Sequence, residues 1–256
     1  MNMEYGSIFR RYELKYLMDS DQASAVRDAL KEHMEPDRYA FSTIRNTYFD
    51  TPNYILARSS IARPMFKEKL RFRSYDSPSC RDRVFVELKR KYDSVVYKRR
   101  LAMPLDEAMD WFCGDGKGPE GQIADEMSYM KVLHPDIRPA MYLSYDREAY
   151  RAKDGSDLRI TVDNSILART EDVDLSSPVY GHPVLPEGYT LMEVKTMYGY
   201  PRWLTSVLSS CRLYKSRFSK YGNAYKEIVL GRMPEEFANI PGGEGTVSSL
   251  PVWTEG

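Results

Sequence analysis

Several segments of the chain alternate polar and apolar residues with a period of two, and most of their polar positions are basic. This period places successive side chains on opposite faces of a β-strand, so each segment predicts a strand with one charged and one apolar face. The predicted strands are 9–17, 46–50, 69–75, 84–91, 94–100, 139–147, 158–163 and 191–195. The face of 69–75 that carries Lys69, Arg71 and Arg73 shows the pattern most clearly.

So many basic faces constrain how the strands associate. Side by side on an open sheet, like charges on neighbouring strands repel one another. If the sheet closes with its charged faces inward, the cations surround one anion, and the apolar faces point outward for helices to cover. About eight antiparallel strands enclose enough room for side chains and one small ligand. The pattern predicts an α+β fold, an eight-stranded antiparallel tunnel barrel with helices packed on its outside. A solvated face of an open sheet is the alternative.

Helical periodicity and the distribution of linker residues define the domain. Helices are predicted at 19–35, 105–112, 123–133, 201–211 and 220–230. Neither an internal repeat nor a linker interrupts the pattern, so residues 1–232 are expected to form one domain. Residues 233–256 are rich in Gly, Ser and Pro and lack periodicity, which predicts a flexible C-terminal tail.

The overall charge is balanced, with 37 Lys and Arg against 37 Asp and Glu, but the charges are segregated. Residues 67–100 contain twelve Lys or Arg and five Asp or Glu, whereas residues 104–126 contain one Lys and seven Asp or Glu. Apolar runs are too short for a membrane span, and the N-terminus lacks the pattern of a signal peptide. Three widely spaced cysteines fit reduced thiols, so a cytoplasmic protein without a transmembrane segment is expected.

The repeated basic residues predict a linear polyanion as the ligand, because they offer many contacts to phosphate oxygens. Nucleic acid is not expected, since the aromatic residues lie mostly on the opposite strand faces and are not interleaved for base stacking. A Walker-type loop is lacking, so triphosphates or polyphosphate fit better. An isolated carboxylate among cations, such as Glu193, is best explained by a divalent metal that it shares with the phosphates.

Seven short motifs then become recognisable in order along the chain. They are RYELKY (11–16), YFDT (48–51), LRFR (70–73), FVELK (85–89), LRITVD (158–163), MEVK (192–195) and FSKY (218–221). The set resembles the catalytic domain of the vacuolar transporter chaperone (VTC) family, a polyphosphate polymerase domain in the CYTH-like triphosphate tunnel metalloenzyme superfamily. The resemblance covers residues 7–228. It implies transfer of the γ-phosphate of ATP to a growing inorganic polyphosphate chain, with release of ADP.

The resemblance also implies roles for individual residues. The catalytic positions are Lys15, Arg71, Arg73, Lys89, Lys98, Arg147 and Arg159. The substrate-binding positions are Arg11, Arg58, Lys195, Ser219 and Lys220. The metal position is Glu193, which would hold Mn²⁺ or Mg²⁺. Glu87 and Glu13 are either further metal ligands or ion-pair partners that orient nearby cations. Asp163 is expected to be a structural acceptor, while Arg90 and Arg99 are expected to be solvated.

Two departures from the family pattern affect the expected activity. Hydrolytic and cyclase members of the superfamily carry Glu-x-Glu-x-Lys on the first strand, where this chain has Arg11, Glu13 and Lys15. The loss of one acidic ligand disfavours a two-metal hydrolase and favours binding of more phosphate. The membrane segment and accessory domain of the fungal vacuolar proteins have no counterpart here, so a free-standing bacterial-type version is expected, with its protein partner undetermined.

Three functions remain open at this point. The leading one is an ATP-dependent polyphosphate polymerase, whose partners are ATP and inorganic polyphosphate. The second is a metal-dependent tripolyphosphatase or nucleoside triphosphatase of the same fold. The third is a non-catalytic module that binds polyphosphate or inositol phosphates. Arg11 argues against the second function and Glu193 against the third.

Overall fold

The computed structural model describes residues 12–62, 64–93 and 95–231. Within these residues the elements occur in the order β1 (Tyr12–Met18), α1 (Ser20–His33), β2 (Met34–Asp50), α2 (Ile55–Ala62), β3 (Phe66–Tyr75), β4 (Arg83–Tyr92), β5 (Val95–Pro104), α3 (Leu105–Cys113), α4 (Gln122–Leu133), β6 (Arg138–Ala152), β7 (Arg159–Arg169), β8 (His182–Pro183), β9 (Thr190–Thr196), α5 (Arg202–Ser210), β10 (Lys215–Ser216) and α6 (Lys220–Ala224), which continues as a π-helical turn, Tyr225–Val229. Arg11 and the expected tail, 233–256, lie outside the described residues. None of the described helices is long and apolar enough to cross a bilayer.

All strands belong to one antiparallel sheet in the order β10-β1-β9-β7-β6-β2-β3-β4-β5, with β8 beside β7. The predicted fold class is confirmed, but the described part of the sheet has ten strands. Eight are at least seven residues long, and β8 and β10 have only two residues each. The described edge strands, β5 and β10, are not hydrogen-bonded to each other.

Side chains from distant strands nevertheless meet inside the curved sheet. Lys89 on β4 forms an ion pair with Glu13 on β1, with a distance of 3.6 Å between Nζ and Oε2. The ammonium group of Lys69 on β3 donates a hydrogen bond to Ser219, which directly precedes α6, at 3.0 Å. The sheet therefore curls until its two ends face each other across a shared interior.

The outer face of the sheet is apolar and covered by helices, as the alternation predicts. Leu70 and Phe72 of β3 pack with Trp111 and Phe112 of α3 in one cluster. A second cluster joins β1, β7 and β9 to α1 and α5. Each large side chain buried in this way contributes about 1.5–3 kcal/mol relative to an exposed one. Helix α1 begins at a capping box, in which Asp19 accepts a hydrogen bond from the backbone of Gln22.

The inner face has an apolar part in addition to the charged part. Leu191 lies on the same face of β9 as Glu193 because the two residues are separated by two positions. It belongs to a buried cluster with Leu143, Phe218 and Tyr221, so α6 covers this part of the inner face. The sequence pattern predicted an inner face that is charged throughout. The charged residues instead share the inner face with an apolar part that packs against α6.

Candidate functional site

The charged part of the inner face gathers more cations than carboxylates. Ten cations meet there: Lys15, Lys69, Arg71, Arg73, Lys89, Lys98, Arg100, Arg147, Lys195 and Lys220. The four carboxylates among them are Glu13, Glu87, Asp163 and Glu193. We call these fourteen residues the inner charge cluster. An excess of cations this large in a partly buried space suits a ligand with several negative charges.

Glu193 forms one centre of the inner charge cluster. Its Oε1 lies 3.0 Å from Lys220 and 3.3 Å from Lys15, while its Oε2 lies 3.4 Å from Lys195 and 3.5 Å from Arg147. The register of β1 and β9 places Lys15 directly opposite Glu193. Burial would raise the pKa of Glu193, but these four cations together hold it well below its usual range. Glu193 therefore stays ionised and keeps the cations in place.

Asp163 binds two of the cations that surround Glu193. It is fully buried and accepts two hydrogen bonds from the Arg147 guanidinium, at 2.6 and 2.7 Å. Its Oδ2 also lies 2.5 Å from the ammonium group of Lys220. Burial opposes ionisation of Asp163, but Lys220 and Arg147 outweigh it and lower the pKa. These contacts match the structural acceptor expected from the sequence.

The contacts of α6 explain how Lys220 reaches this centre. The hydroxyl group of Tyr221 donates a hydrogen bond of 2.6 Å to Asp50 at the end of β2. The Asp50 carboxylate also accepts hydrogen bonds from the backbone N–H groups of Leu56 and Ala57, at the start of α2. Asp50 thus fixes α6 against α2 and orients Lys220 towards Glu193.

Glu87 forms the second centre. Its Oε2 accepts hydrogen bonds from Arg71 at 2.7 and 2.9 Å and lies 3.7 Å from Arg73. Its Oε1 lies 2.8 Å from Lys98 and 2.5 Å from Arg100. Burial disfavours the charged carboxylate, yet the surrounding cations lower its pKa strongly. Glu87 is therefore an ion-pair partner of four cations in the ligand-free protein, which is one of the two roles expected from the sequence.

Tyr145 joins the two centres. Its hydroxyl group accepts a hydrogen bond of 3.4 Å from Arg73. Arg147 and the ammonium group of Lys220 lie 5.0 and 4.7 Å from its ring centroid. Burial alone would raise the pKa of Tyr145, but Arg147, Arg73 and Lys220 outweigh it and lower the pKa to about 8. The two centres therefore form one continuous electrostatic site.

Three lysines lie side by side across β3, β4 and β5. The register pairs Lys69 with Lys89 and Lys89 with Lys98. Burial lowers the pKa of all three, that of Lys98 to about 8, although the carboxylates next to Lys89 and Lys98 oppose this effect. For Lys69, the neighbouring cations Lys15 and Lys89 lower the pKa further.

The motifs did not select two members of the inner charge cluster, Lys69 and Arg100. Both share their strand face with predicted site residues, since Lys69 lies two positions before Arg71 and Arg100 lies two positions after Lys98. The alternation of the sequence does place both on the charged faces of their strands.

Two predicted site residues lie apart from the inner charge cluster. Arg159 is opposite Lys195 and on the same face, but its side chain is 57% exposed and lies 3.9 Å from Asp37. Arg58 lies on α2 with an exposed side chain. Arg11 falls outside the described residues. The structure thus brings together the remaining predicted residues, from Lys15 to Lys220, and places Arg159 at the margin.

The two arginines expected to be solvated have acidic partners on the outer face. Arg90 lies 3.0 Å from Glu68 and 3.5 Å from Glu126. Arg99 lies 3.0 Å from Glu126, which belongs to α4. Glu126, at the C-terminal end of the acidic segment 104–126, therefore neutralises two outward-facing cations.

The available carboxylates determine which metal site is feasible. Within the described ranges, no group of three or more His, Cys, Asp or Glu residues is arranged to hold a metal ion. Glu13 and Glu193 lie 3.9 and 3.3 Å from the same ammonium group of Lys15. Mg²⁺ is commonly held by one or two carboxylates together with water and substrate phosphates. This donor pair fits a divalent ion shared with a phosphate ligand and does not fit an ion held by the protein alone.

Two solved structures have a similar fold. A candidate adenylate cyclase from Bacillus halodurans superposes with a TM-score of 0.52 and 14% identity, over 81% of this chain and 92% of that one. A candidate adenylyl cyclase from Hippeastrum, which has a dominant triphosphatase activity, superposes with a TM-score of 0.51 and 16% identity, over 87% of this chain and 97% of that one. At these identities the similarity shows the fold alone.

Comparison of the sequence with known families is more specific. No curated protein matches the sequence significantly. The model of the VTC domain matches residues 10–229, a span that includes every described strand and the entire inner charge cluster. This match confirms the resemblance drawn from the seven motifs, and the chain belongs to the VTC domain family.

Proposed function

We propose that this protein is a polyphosphate polymerase that transfers the γ-phosphate of ATP to a growing inorganic polyphosphate chain. Membership of the VTC domain family and the tunnel fold support an enzyme that handles phosphates. The observation that carries the proposal is the inner charge cluster, in which ten cations and four carboxylates of the described residues converge on one interior. The reaction is expected in the cytoplasm, where ATP is available.

The cluster suits a chain of phosphates better than a single anion. In the ligand-free protein the carboxylates hold the cations in position. An incoming polyanion would replace these carboxylates as the partner of the cations. Arg71, Arg73 and Arg147 can each offer two N–H groups to phosphate oxygens of the nucleotide. Arg159, at the margin of the cluster, would contact the outer end of the ligand. The two guanidinium-rich centres would thus hold successive phosphates of one ligand.

The lysines would hold the reacting groups in line. Lys15, Lys89 and Lys98 come from β1, β4 and β5 and face the same interior. An oxygen of the acceptor's terminal phosphate attacks the γ-phosphorus of ATP, and the bond between the γ-phosphorus and the β–γ bridging oxygen breaks to release ADP. The attacking oxygen is already ionised, so no general base is required. The protein contributes positioning and neutralisation of charge.

The proposed metal has a limited role. A divalent ion, Mn²⁺ or Mg²⁺, held by Glu193 and Glu13 together with phosphate oxygens, would neutralise charge on the leaving oxygen. The lysine and arginine contacts around Glu193 would orient that carboxylate towards the interior. Loss of one clamp arginine should cost on the order of 2–4 kcal/mol of transition-state stabilisation, by analogy with other preorganised donors.

Incubation of the purified protein with ATP and Mn²⁺, followed by phosphorus NMR, tests the proposal. A growing signal from internal phosphates supports the polymerase. Orthophosphate and ADP without a signal from internal phosphates indicate the triphosphatase, and saturable polyphosphate binding without turnover indicates a phosphate-binding module. Lys15→Ala and Glu193→Ala should each abolish polymer formation, whereas Lys117→Ala, at an exposed loop lysine, should not. Circular dichroism verifies folding, and wild-type activity in either cluster variant would disprove the role of that residue.

A further inference from the structure

Aromatic side chains continue directly from the Glu87 centre along the inner face. Phe85 precedes Glu87 by two positions on β4, and Tyr75 follows Arg73 by two positions on β3, so both rings lie on the same face as the cations. The Arg100 guanidinium lies 4.4 Å from the Phe85 ring centroid. The Tyr75 ring meets Phe85 edge-on, with 5.8 Å between centroids. The cationic surface thus passes into an aromatic one without a gap.

A third ring extends this surface towards solvent. Tyr39 stacks on Tyr75 with a centroid distance of 6.0 Å and an interplanar angle of 29°. Tyr39 lies where the register of β2 and β6 is interrupted between Pro36 and Phe41, so the backbone departs there from regular pairing. Its side chain is 63% exposed and that of Tyr75 is 39% exposed.

The position of the rings relative to the cations indicates their ligand. Two positions along a strand span about 6.6 Å, so the aromatic surface begins within roughly that distance of Arg73 and Glu87. A nucleoside triphosphate has the same arrangement, with its phosphates at one end and a flat, apolar base at the other. Nucleobases stack on accessible aromatic rings whatever their hydrogen-bonding edge.

We propose that Tyr75, Phe85 and Tyr39 form the nucleobase platform for a nucleoside triphosphate whose phosphates bind the cations around Glu87. The inference rests on the proposed function, because it requires a nucleotide as the phosphate donor. It adds that the nucleotide lies with its base towards Tyr39 and its γ-phosphate towards the interior. It also assigns a role to three aromatic residues that the phosphate chemistry leaves without one.

Isothermal titration calorimetry with ATP and with inorganic tripolyphosphate separates the platform from the phosphate site. Tyr75→Ala and Phe85→Leu should each weaken ATP binding by about tenfold, the order of magnitude of one lost base–aromatic stack. Their affinity for tripolyphosphate should stay within about twofold of the wild type, because that ligand has no base. Tyr198→Ala is the matched control, since that side chain is 88% exposed and lies on the loop between β9 and α5.

Three other results of the titrations would refute the nucleobase platform. If the wild type binds both ligands and the variants keep their ATP affinity, the platform is refuted while the proposed function stands. If the variants lose affinity for ATP and tripolyphosphate equally, the rings only support neighbouring cations and the platform is again refuted. If the wild type binds neither ligand, the proposed function fails and the platform fails with it.

Discussion

Replacement of Glu87 by Gln tests whether this carboxylate holds the cations together before a ligand arrives. Glu87 is 1% exposed, and four cationic side chains lie within 3.7 Å of its oxygens. The Glu87→Gln variant keeps the shape of the side chain but removes the negative charge at this centre. It also turns an amide group, which donates hydrogen bonds, towards cations that need acceptors.

The size of the effect follows from this burial. Removal of one partner from a buried ion pair costs about 3–5 kcal/mol, because the remaining charge is left without compensation. For a domain of this size, 1 kcal/mol corresponds to a shift of about 2–4 °C in Tm. The Glu87→Gln variant should therefore unfold at a Tm about 6–20 °C below that of the wild type.

A polyanion should reverse much of this loss. Tripolyphosphate brings its own negative charge to the centre, so it should raise the Tm of Glu87→Gln more than that of the wild type, as a ligand does when it binds only the folded state. Differential scanning fluorimetry with and without tripolyphosphate measures both effects. Glu68→Gln is the matched control, since Glu68 is also buried and pairs with Arg90, but on the outer face. A Tm loss below about 2 °C, or equal stabilisation of all three proteins by tripolyphosphate, would refute the reasoning.

Three further predictions concern single side chains. Lys69→Met should weaken tripolyphosphate binding about tenfold or more, the value of one charge-assisted contact. Tm should change little, because the acceptor of the Lys69 hydrogen bond is the uncharged Ser219 hydroxyl; calorimetry and fluorimetry check this. Tripolyphosphate affinity should fall between pH 7 and pH 9. The pKa values of Lys98 and Tyr145 are both lowered to about 8, so in that interval Lys98 loses its positive charge and Tyr145 gains a negative one. The fall should be smaller in Tyr145→Phe, and a flat profile in the wild type would contradict this explanation. Asp19→Ala removes an N-cap and should lower Tm by about 2–4 °C while polymer formation stays at the wild-type rate.

The sequence predicted the charged strands well because their two faces differ so strongly. Over residues 69–73 of β3 and 86–89 of β4, charged side chains alternate with large apolar ones, so only one register buries the apolar set. Arg71, Arg73 and Glu87 accordingly meet as the alternation indicates. Helix α2 was not predicted, since its sequence, ILARSSIA, is short and carries no clear apolar stripe. Its first turn is fixed by the carboxylate of Asp50, a contact that depends on tertiary structure.

Alternation specifies the face of a side chain but not its position along the tunnel. Arg159 has the face expected of a site residue, yet it begins its strand and lies at the margin. Leu191 likewise has an inward face, and only the packing of α6 shows that this part of the interior is closed by apolar residues. The first half of β2 was also missed, because residues 34–45 do not alternate and depend on pairing with β6 for their extended form.

The alternation over residues 69–73 of β3 limits how this gene can vary in length. Insertion of one codon between Lys69 and Arg71 would exchange inside and outside for part of the strand, so that Leu70 or Phe72 would enter the charged interior and an arginine would face Phe112. Single substitutions alter one contact, whereas such an insertion would invert several at once. Length changes among relatives should therefore concentrate in the loops and at the irregular stretch of β2, and should be rare within β3.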